Sequence, residues 1–159
     1  MITQPPPAAS RPTRVLAVSS PGGHWQQLTS IRGAFEGMDI TYITTSKEAA
    51  ITVAPARLLV VPDCNRDEPM KLFACALMTL RLVRQLRPDV VVTTGAAPGL
   101  FAVMAGRVLG ARTVWIDSLA NSERLSLSGR IAKHFVSLCI TQWSHLASPD
   151  GPRYYGEIL

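Results

Sequence analysis

Val90-Val-Val-Thr-Thr-Gly-Ala-Ala-Pro-Gly99 is the stretch of sequence that decides the fold. Its first five residues form a short β-branched run without polar alternation, which is typical of a strand buried on both faces of a parallel sheet. The glycine turn 95–99 follows, and the small residues of 100–109 then predict a helix. We therefore interpret the stretch as the strand, turn and helix of one βαβ unit.

The same alternation continues on both sides of this stretch. Short apolar runs predict further strands at 15–19, 40–44, 58–61, 113–117 and 137–141, and periodic segments predict helices at 24–35, 69–86 and 129–135. Strands separated by helices indicate a Rossmann-like α/β fold, with a parallel sheet covered by helices on both faces. We expect a disordered, proline-rich lead at 1–13, one domain at 14–142 and a tail at 143–159.

Composition excludes several classes of protein. The chain has 159 residues, 47% hydrophobic and 17% charged, which suits one globular domain and not a disordered chain. No uncharged apolar run reaches the roughly 18–20 residues of a transmembrane helix, so we expect no membrane span. The odd number of widely spaced cysteines predicts reduced core residues in a cytoplasmic protein, with neither disulfides nor a metal site.

The net charge of +5 predicts an anionic partner. Nucleic acid is not expected, because aromatic residues make up only 6% and no basic cluster alternates with them. Three arginines lie at or just after the end of the helix 69–86: Arg81, Arg84 and Arg87. They form either a solvated helix face or a contact with a membrane surface. Positions 72–80 of that helix have only Thr79 as a polar residue, so protein or lipid must cover them.

Candidate chemistry lies in three loops, because ligands of open α/β sheets bind at the carboxyl ends of the strands. These loops are 19–24, 94–99 and 117–124, and two of them are glycine turns that begin a helix and suit a phosphate. Neither turn has the G-x-G-x-x-G dinucleotide pattern, and no P-loop motif occurs in the chain.

Two side chains stand out in these loops. His24, at a helix start, can act as a general base or bind a phosphate, or can simply cap or pack the helix. Asp117, at the end of a strand, can accept from a sugar hydroxyl or orient a base, or can serve as an ordinary loop carboxylate. Gln142 and Trp143 follow the last strand, where they can face a ligand or a partner.

Several motifs occur in an order that marks a known family. They are Ser20-Pro-Gly-Gly-His24, Thr94-Gly-Ala-Ala-Pro-Gly99, Trp115-Ile-Asp-Ser-Leu119, Leu125-Ser-Leu-Ser-Gly-Arg130, Thr141-Gln-Trp143 and Tyr154-Tyr-Gly156. With them the chain, from about residue 14 to 159, resembles the membrane-anchor, acceptor-side subunit of the bipartite UDP-GlcNAc transferase of dolichol-linked oligosaccharide synthesis. It resembles still more closely the PssD-type glucuronosyltransferase subunits of bacterial exopolysaccharide assembly.

The resemblance implies the N-terminal, acceptor-binding half of a GT-B glycosyltransferase. This half would bind a polyprenyl-diphosphate-linked saccharide and recruit a separate subunit that binds the UDP-sugar, GlcA or GlcNAc. Transfer would proceed with inversion, without a metal or a cofactor. The relatives often carry an N-terminal membrane anchor that this sequence lacks, so we expect peripheral attachment to the cytoplasmic face of the membrane.

The resemblance also implies roles for particular residues. His24 is the first candidate for the catalytic base and Asp117 the second. The positions expected to bind the acceptor and its phosphates are Gly22, Gly23, Gly95, Pro98, Gly99, Ser118, Arg124 and Arg130. The expected partner interface is Gln142, Trp143, Tyr154 and Tyr155, and the expected membrane contacts are Leu72, Phe73, Leu77, Arg81 and Arg84.

Two other functions stay open at this point. One is a scaffold that anchors the catalytic partner and has no catalytic group of its own. The other is a free-standing nucleotide-binding protein, against which the missing dinucleotide pattern counts.

Overall fold

A computed structural model describes residues 11–64 and 67–158. The strands are β1 Arg14–Val18, β2 Asp39–Thr44, β3 Arg57–Val60, β4 Val90–Thr93, β5 Arg112–Ile116, β6 Leu138–Thr141 and β7 Arg153–Tyr154. The α-helices are α1 Gly23–Ser30, α2 Ala50–Val53, α3 Pro69–Leu86, α4 Ala96–Val108 and α5 Leu127–Ala132. Short 3₁₀ turns lie at Arg32–Phe35 and Ser144–Leu146.

The strands form one sheet in the order β3-β2-β1-β4-β5-β6-β7, and every neighbouring pair is parallel. The chain moves outward in one direction from β1 to β3, then crosses back to β4 and moves outward in the other. The order therefore reverses between β1 and β4, and such a switch point opens a crevice at the carboxyl ends of the two strands. The Rossmann-like fold class predicted from the sequence is confirmed.

Apolar side chains cover both faces of the sheet. On one face, Cys75 and Val83 of α3 and Ala102 of α4 pack with Trp115 in the largest buried cluster. On the other face, Trp25 and Leu28 of α1 and Phe35 of the first 3₁₀ turn belong to two smaller clusters. The sheet is thus held between helical layers, which fixes the loops at its carboxyl edge.

Helix α3 has the predicted bounds, whereas α4 differs from the prediction. Helix α4 begins at Ala96 and not near residue 100, because Gly95 and Ala96 adopt φ values of +128° and +65° and turn the chain at once. Pro98 is tolerated two residues later, since the first turn of a helix needs no backbone N–H from it. The sequence also gave no sign of α2 or of β7.

The two ends of the chain join the fold at its edges. Residues 1–10 of the expected lead lie outside the described residues, and Arg11 forms a bidentate ion pair with Asp89. Within the tail, β7 pairs with β6, and the backbone N–H of Ile158 donates to Gln142. Across the described ranges, no helix combines the length and the apolar character needed to cross a bilayer.

Candidate functional site

The candidate site is the crevice at the switch point between β1 and β4. Helix α1 begins just after β1 and helix α4 just after β4, so the amino ends of both helices meet there. Their N-cap residues are Gly22 and Gly95, and neither helix has a side-chain cap. The first-turn N–H groups and the positive ends of two helix dipoles therefore face the crevice, an arrangement that favours an anion.

His24 is held in one orientation by the neighbouring loop. Its Nδ1 lies 2.8 Å from the carbonyl oxygen of Thr94, and the Thr94 hydroxyl donates back to the His24 carbonyl over 2.7 Å. A carbonyl oxygen only accepts, so Nδ1 carries the proton. In the neutral imidazole, Nε2 then holds the lone pair, and no described residue bonds to it. His24 is therefore oriented as a proton acceptor.

Gly95 lets the α4 loop approach the imidazole closely. A Cβ atom at this position would lie 2.8 Å from Cε1 of His24, and the φ of +128° is one that side-chain-bearing residues rarely adopt. Ala96 follows with φ +65°, an unfavourable value for a residue other than glycine. Backbone strain of this kind concentrates at functional sites, and here it lies against the candidate base.

A cavity of about 200 Å³ opens beside His24. The loop after β5 and the start of α5 form its other wall with small and polar side chains. The lining residues are His24, Ala96, Ser118, Ala120, Asn121, Ser126, Leu127 and Ser128. His24 is the one titratable side chain among them, and the serine hydroxyls and the amide suit the hydroxyl groups of a sugar.

Asp117 does not face this cavity, contrary to its prediction as a second base. It is 2% exposed, and both carboxylate oxygens are occupied by donors. The donors are the Trp115 indole, the Asn121 amide, and the backbone N–H and hydroxyl of Ser126. With four hydrogen bonds and almost no access to solvent, this carboxylate fixes the loop 118–126 and positions Ser126 at the cavity.

Gln142 lies inside the protein and not at a partner surface, which corrects the prediction of an interface role. It is 1% exposed, and its Nε2 lies 3.0 Å from the Asp117 carbonyl and 3.3 Å from Oε1 of Gln27. Its own oxygen accepts from the N–H of Ile158. The Gln27 amide reaches Ser118 in turn, at 3.3 Å. The network joins α1, the loop after β5 and the tail.

Pro98 and Gly99 also differ from their prediction as phosphate-binding residues. Both are buried within the first turns of α4, and a Cβ at Gly99 would lie 1.9 Å from Oγ1 of Thr93. Gly99 is thus needed for close packing of helix on strand. Gly22 and Gly23 are exposed at the crevice, and Ser118 lines the cavity.

The other residues predicted for the acceptor and the partner interface lie outside the cavity. Arg124 and Arg130 are exposed but do not line the cavity. Trp143 is half-buried and donates to the Leu119 carbonyl over 2.8 Å, so it supports the loop after β5. Tyr154 and Tyr155 are 39% and 72% exposed and border a separate shallow depression.

On α3, the expected membrane face is largely exposed. Phe73 and Leu77 are 66% and 37% exposed, and Arg81 and Arg84 are exposed as well. Leu72 is half-buried and belongs to the edge of this face.

Sequence reasoning missed Ser126 and Asn121, which line the cavity, and Gln27, which supports it. Ser126 had a usable signal, since serine is a preferred N-cap residue just before a helix, and its hydroxyl accepts from the Gly129 N–H. Gln27 had none, because its partners lie more than 90 residues away in the chain.

The cysteines add no nucleophile to the site. Burial raises the pKa of Cys139 to about 12, and the neighbouring Asp117 charge acts in the same direction. Burial likewise raises the pKa of Cys64 to about 12. Both thiols therefore stay protonated near neutral pH and are weak nucleophiles.

The sequence matches a known protein family. The family described as "Oligosaccharide biosynthesis protein Alg14 like" matches residues 37–158. A UDP-N-acetylglucosamine transferase subunit ALG14 from Eremothecium gossypii is 39% identical over 79 residues, which cover 45% of this chain and 35% of that protein. The match thus spans about a third of the length of that curated relative.

Solved structures also share this fold. MurG from Acinetobacter baumannii superposes with a TM-score of 0.73 at 13% identity, over 90% of this chain and 45% of that one. A UDP-N-acetylglucosamine 2-epimerase from Rickettsia bellii gives 0.70 at 12% identity, over 93% of this chain and 46% of that one. In each case the fold corresponds to about half of a GT-B-like chain.

Proposed function

Because this chain belongs to the Alg14-like family of oligosaccharide biosynthesis proteins, we propose that it is the acceptor-binding subunit of a two-component inverting glycosyltransferase. It would take a polyprenyl-diphosphate-linked saccharide as acceptor. A separate GT-B half would bind the UDP-sugar. The name of the Eremothecium gossypii relative favours UDP-GlcNAc over UDP-GlcA as the donor.

The observation that carries this proposal is the setting of His24. An inverting transfer needs a group that removes the proton of the attacking hydroxyl while the anomeric carbon is attacked. The Thr94 carbonyl fixes the proton on Nδ1 and leaves Nε2 free at the edge of a polar cavity. The single titratable side chain of that cavity is therefore oriented for this step.

The proposed step balances with His24 as the base. The acceptor hydroxyl oxygen attacks the anomeric carbon of the donor, and its proton passes to Nε2. The bond between the anomeric carbon and the UDP oxygen breaks, and UDP leaves with the electron pair. The imidazolium then releases its proton to solvent. The Thr94 carbonyl stabilises the imidazolium, because the hydrogen bond from Nδ1 becomes stronger when the ring is charged.

The rest of the crevice suits an acceptor that bears a diphosphate. The amino ends of α1 and α4 present backbone N–H groups without competing side-chain caps. Ser118, Asn121 and Ser126 offer hydroxyl and amide groups for a sugar on the other side of His24. The site thus has separate places for the charged and the hydroxyl-bearing parts of such an acceptor.

The surface supports two contacts of the proposed subunit. Tyr154 and Tyr155 project at the end of the sheet, and exposed aromatic side chains are suitable anchors for the donor-binding partner. The exposed face of α3, with Phe73 and Leu77, suits peripheral contact with the cytoplasmic leaflet of the membrane.

A scaffold without catalytic function is the second candidate. The observation that favours it is the occupation of Asp117 by four donors, which leaves His24 without a second titratable group in the cavity. In that case the donor-binding partner would supply the base.

One assay separates these candidates. Membranes with a lipid-diphosphate acceptor are incubated with UDP-GlcNAc or UDP-GlcA, with this chain alone, its GT-B partner alone, or both. We expect transfer only with both chains, and a loss of about 100-fold or more for His24→Gln at unchanged partner binding. Full activity of His24→Gln would support the scaffold, and activity of this chain alone would refute the two-component proposal.

A further inference from the structure

The opposite edge of the sheet carries a second concave surface. At the amino ends of β1, β4 and β5 lies an open cavity of about 780 Å³. Four arginines line it, and we call it the arginine cavity: Arg14, Arg84, Arg87 and Arg112. It is separated from the His24 crevice by the length of the strands and shares no residue with it.

The charge of this cavity is not balanced by protein. Asp89 is the one acidic residue that lines it, and both of its oxygens accept from Arg11 at 2.7 Å. Arg11 holds the pKa of Asp89 well below its usual range, so this carboxylate is ionised and already paired. In the described part of the chain, the ion pairs of the cavity involve Asp89 with Arg11 and Arg14 only.

Arg14 is the most confined of the four arginines. Its Nε is buried without a hydrogen-bond partner and lies 3.7 Å from the Asp89 carboxylate. A buried donor without a partner is costly, and an anion in the cavity would supply one. Arginine is also the side chain best suited to phosphate oxygens, because its planar fork donates two parallel hydrogen bonds.

Helix capping does not account for the whole cluster. Arg84 and Arg87 lie at the carboxyl end of α3, where cations are favoured by the helix dipole. Arg14 and Arg112, however, begin strands β1 and β5 and have no such role. Three separate elements thus direct guanidinium groups at one concave surface.

An apolar stripe leads along α3 to this cavity. Met70, Phe73, Leu77 and Leu80 are 79%, 66%, 37% and 47% exposed, and their three- and four-residue spacing places them on one side of the helix. The next position of the same row is Arg84, which lines the cavity. The cavity rim includes Leu109, and Val108 beside it is 85% exposed.

This continuity indicates which kind of phosphate the cavity suits. A soluble phosphate needs only the arginines, whereas a lipid has its phosphate directly beside acyl chains. The arginine cavity lies at the end of an exposed apolar stripe, and this arrangement suits the phosphate of a lipid. Helix α3 has 18 residues and is about 27 Å long, so it can lie along a membrane surface with the crevice near one end and the cavity near the other.

We propose that the arginine cavity binds the phosphate of an anionic phospholipid headgroup. The proposal rests on the membrane contact of α3 proposed above and adds a second, charge-specific contact to it. Together the two contacts fix how the protein lies on the membrane, and so the direction in which the His24 crevice opens.

Vesicle flotation of the full chain tests this proposal. The probes are vesicles of phosphatidylcholine alone and of phosphatidylcholine with phosphatidylglycerol. The variant Arg87→Gln/Arg112→Gln removes two exposed cavity arginines, and Arg32→Gln/Lys47→Gln removes the same charge at exposed positions outside the cavity. At about fivefold in affinity per basic residue, we expect the cavity variant to bind the anionic vesicles about 30-fold more weakly, and the control to bind nearly as wild type.

Three results would overturn the proposal. Equal weakening by both double variants would show attraction by net charge alone. Equal binding of wild type to both kinds of vesicle would exclude a headgroup site. Unchanged vesicle binding by the cavity variant, together with loss of the inorganic phosphate that the wild type binds, would assign the cavity to a free phosphate.

A separate variant tests the membrane contact on which the proposal rests. Phe73→Ser/Leu77→Ser removes apolar surface and leaves the four arginines in place, so it should weaken binding to both kinds of vesicle. If it has no effect while the cavity variant does, the α3 contact is wrong and the headgroup site stands alone. Circular dichroism of each variant establishes that it is folded.

Discussion

At the scale of single residues, the candidate site depends on a reciprocal lock between two loops. Nδ1 of His24 donates to the Thr94 carbonyl over 2.8 Å, and the Thr94 hydroxyl donates to the His24 carbonyl over 2.7 Å. Gly95 has no side chain and so leaves room for the imidazole. The orientation of the His24 imidazole is therefore fixed by the Thr94 carbonyl, which belongs to another βαβ unit, and not by its own helix.

Replacing Gly95 by alanine should disturb this lock. The new Cβ would lie 2.8 Å from Cε1 of His24 on a backbone with φ +128°, so the imidazole must shift. A displacement of about 1 Å at a reacting group costs roughly 100-fold in rate, and we expect a loss of that order in the two-component transfer assay. Gly33→Ala is the matched control, because nothing lies within 4 Å of its Cβ. An active Gly95→Ala variant would contradict the role of His24.

Asp117 acts through the loop that it holds. In Asp117→Asn an amide NH₂ replaces one carboxylate oxygen and faces donors from Trp115, Asn121 or Ser126. Losing hydrogen bonds to a buried charged group should lower the free energy of unfolding by about 3 kcal/mol, as measured by urea denaturation. Asp150→Asn, in an exposed loop, should change it little. Equal unfolding curves for the two variants would show that Asp117 does not organise the loop.

At the scale of secondary-structure elements, one carboxylate joins the beginnings of two strands. Asp89 precedes β4 and accepts from the backbone N–H of Arg14 in β1 at 2.9 Å, as well as from Arg11. The contact secures the residues before β1 to the central strands of the sheet.

This contact should make stability depend on pH in the acid range. The pKa of Asp89 is depressed in the folded state by Arg11, from an ordinary value of 3.8. A depressed carboxyl pKa stabilises the fold above the unfolded pKa, and the stabilisation is lost as the pH falls toward the folded value. We therefore expect the difference in unfolding free energy between wild type and Asp89→Asn to be constant above about pH 5 and to shrink below pH 4. A difference that does not vary with pH would contradict the ion pair.

The sequence predicted those elements whose signals are local. Helix α3 is bounded by Pro69 and Pro88, and its limits agree with the structure. The predicted start of α4 is too late in the chain, because Ala96 adopts a positive φ that the residue pattern does not indicate. Strand β7 is two residues long and is defined by its pairing with Ile140 and Thr141. Such a pairing cannot be predicted from the residues of β7 alone.

In the candidate site, too, only the features with local signals in the sequence could be predicted. The position of His24 at the carboxyl edge of the sheet could be predicted because it follows a strand and a glycine turn. The burial of Asp117 and Gln142 could not, because their partners, Ser126 and Gln27, lie 9 and 115 residues away. A polar side chain at the end of a strand suits a ligand and an internal network equally well, and only the tertiary contacts decide between them.

At the scale of the whole molecule, all seven strands run in one direction. The carboxyl edge therefore collects the helix amino ends and His24, and the amino edge collects the arginines. Each edge has its own charged groups, and the buried sheet between them contains apolar side chains in its central strands.

This separation has a thermodynamic consequence. Asp89 precedes β4 and Asp117 follows β5, so one strand length, about 15 Å, lies between them. Substitutions farther apart than about 10 Å without shared partners add within about 0.5 kcal/mol. The losses of unfolding free energy from Asp89→Asn and Asp117→Asn should therefore sum in the double variant, and a larger coupling energy would show that the sheet transmits strain. If the two losses sum, a mutation at either edge of the sheet leaves the stability contributed by the other edge unchanged.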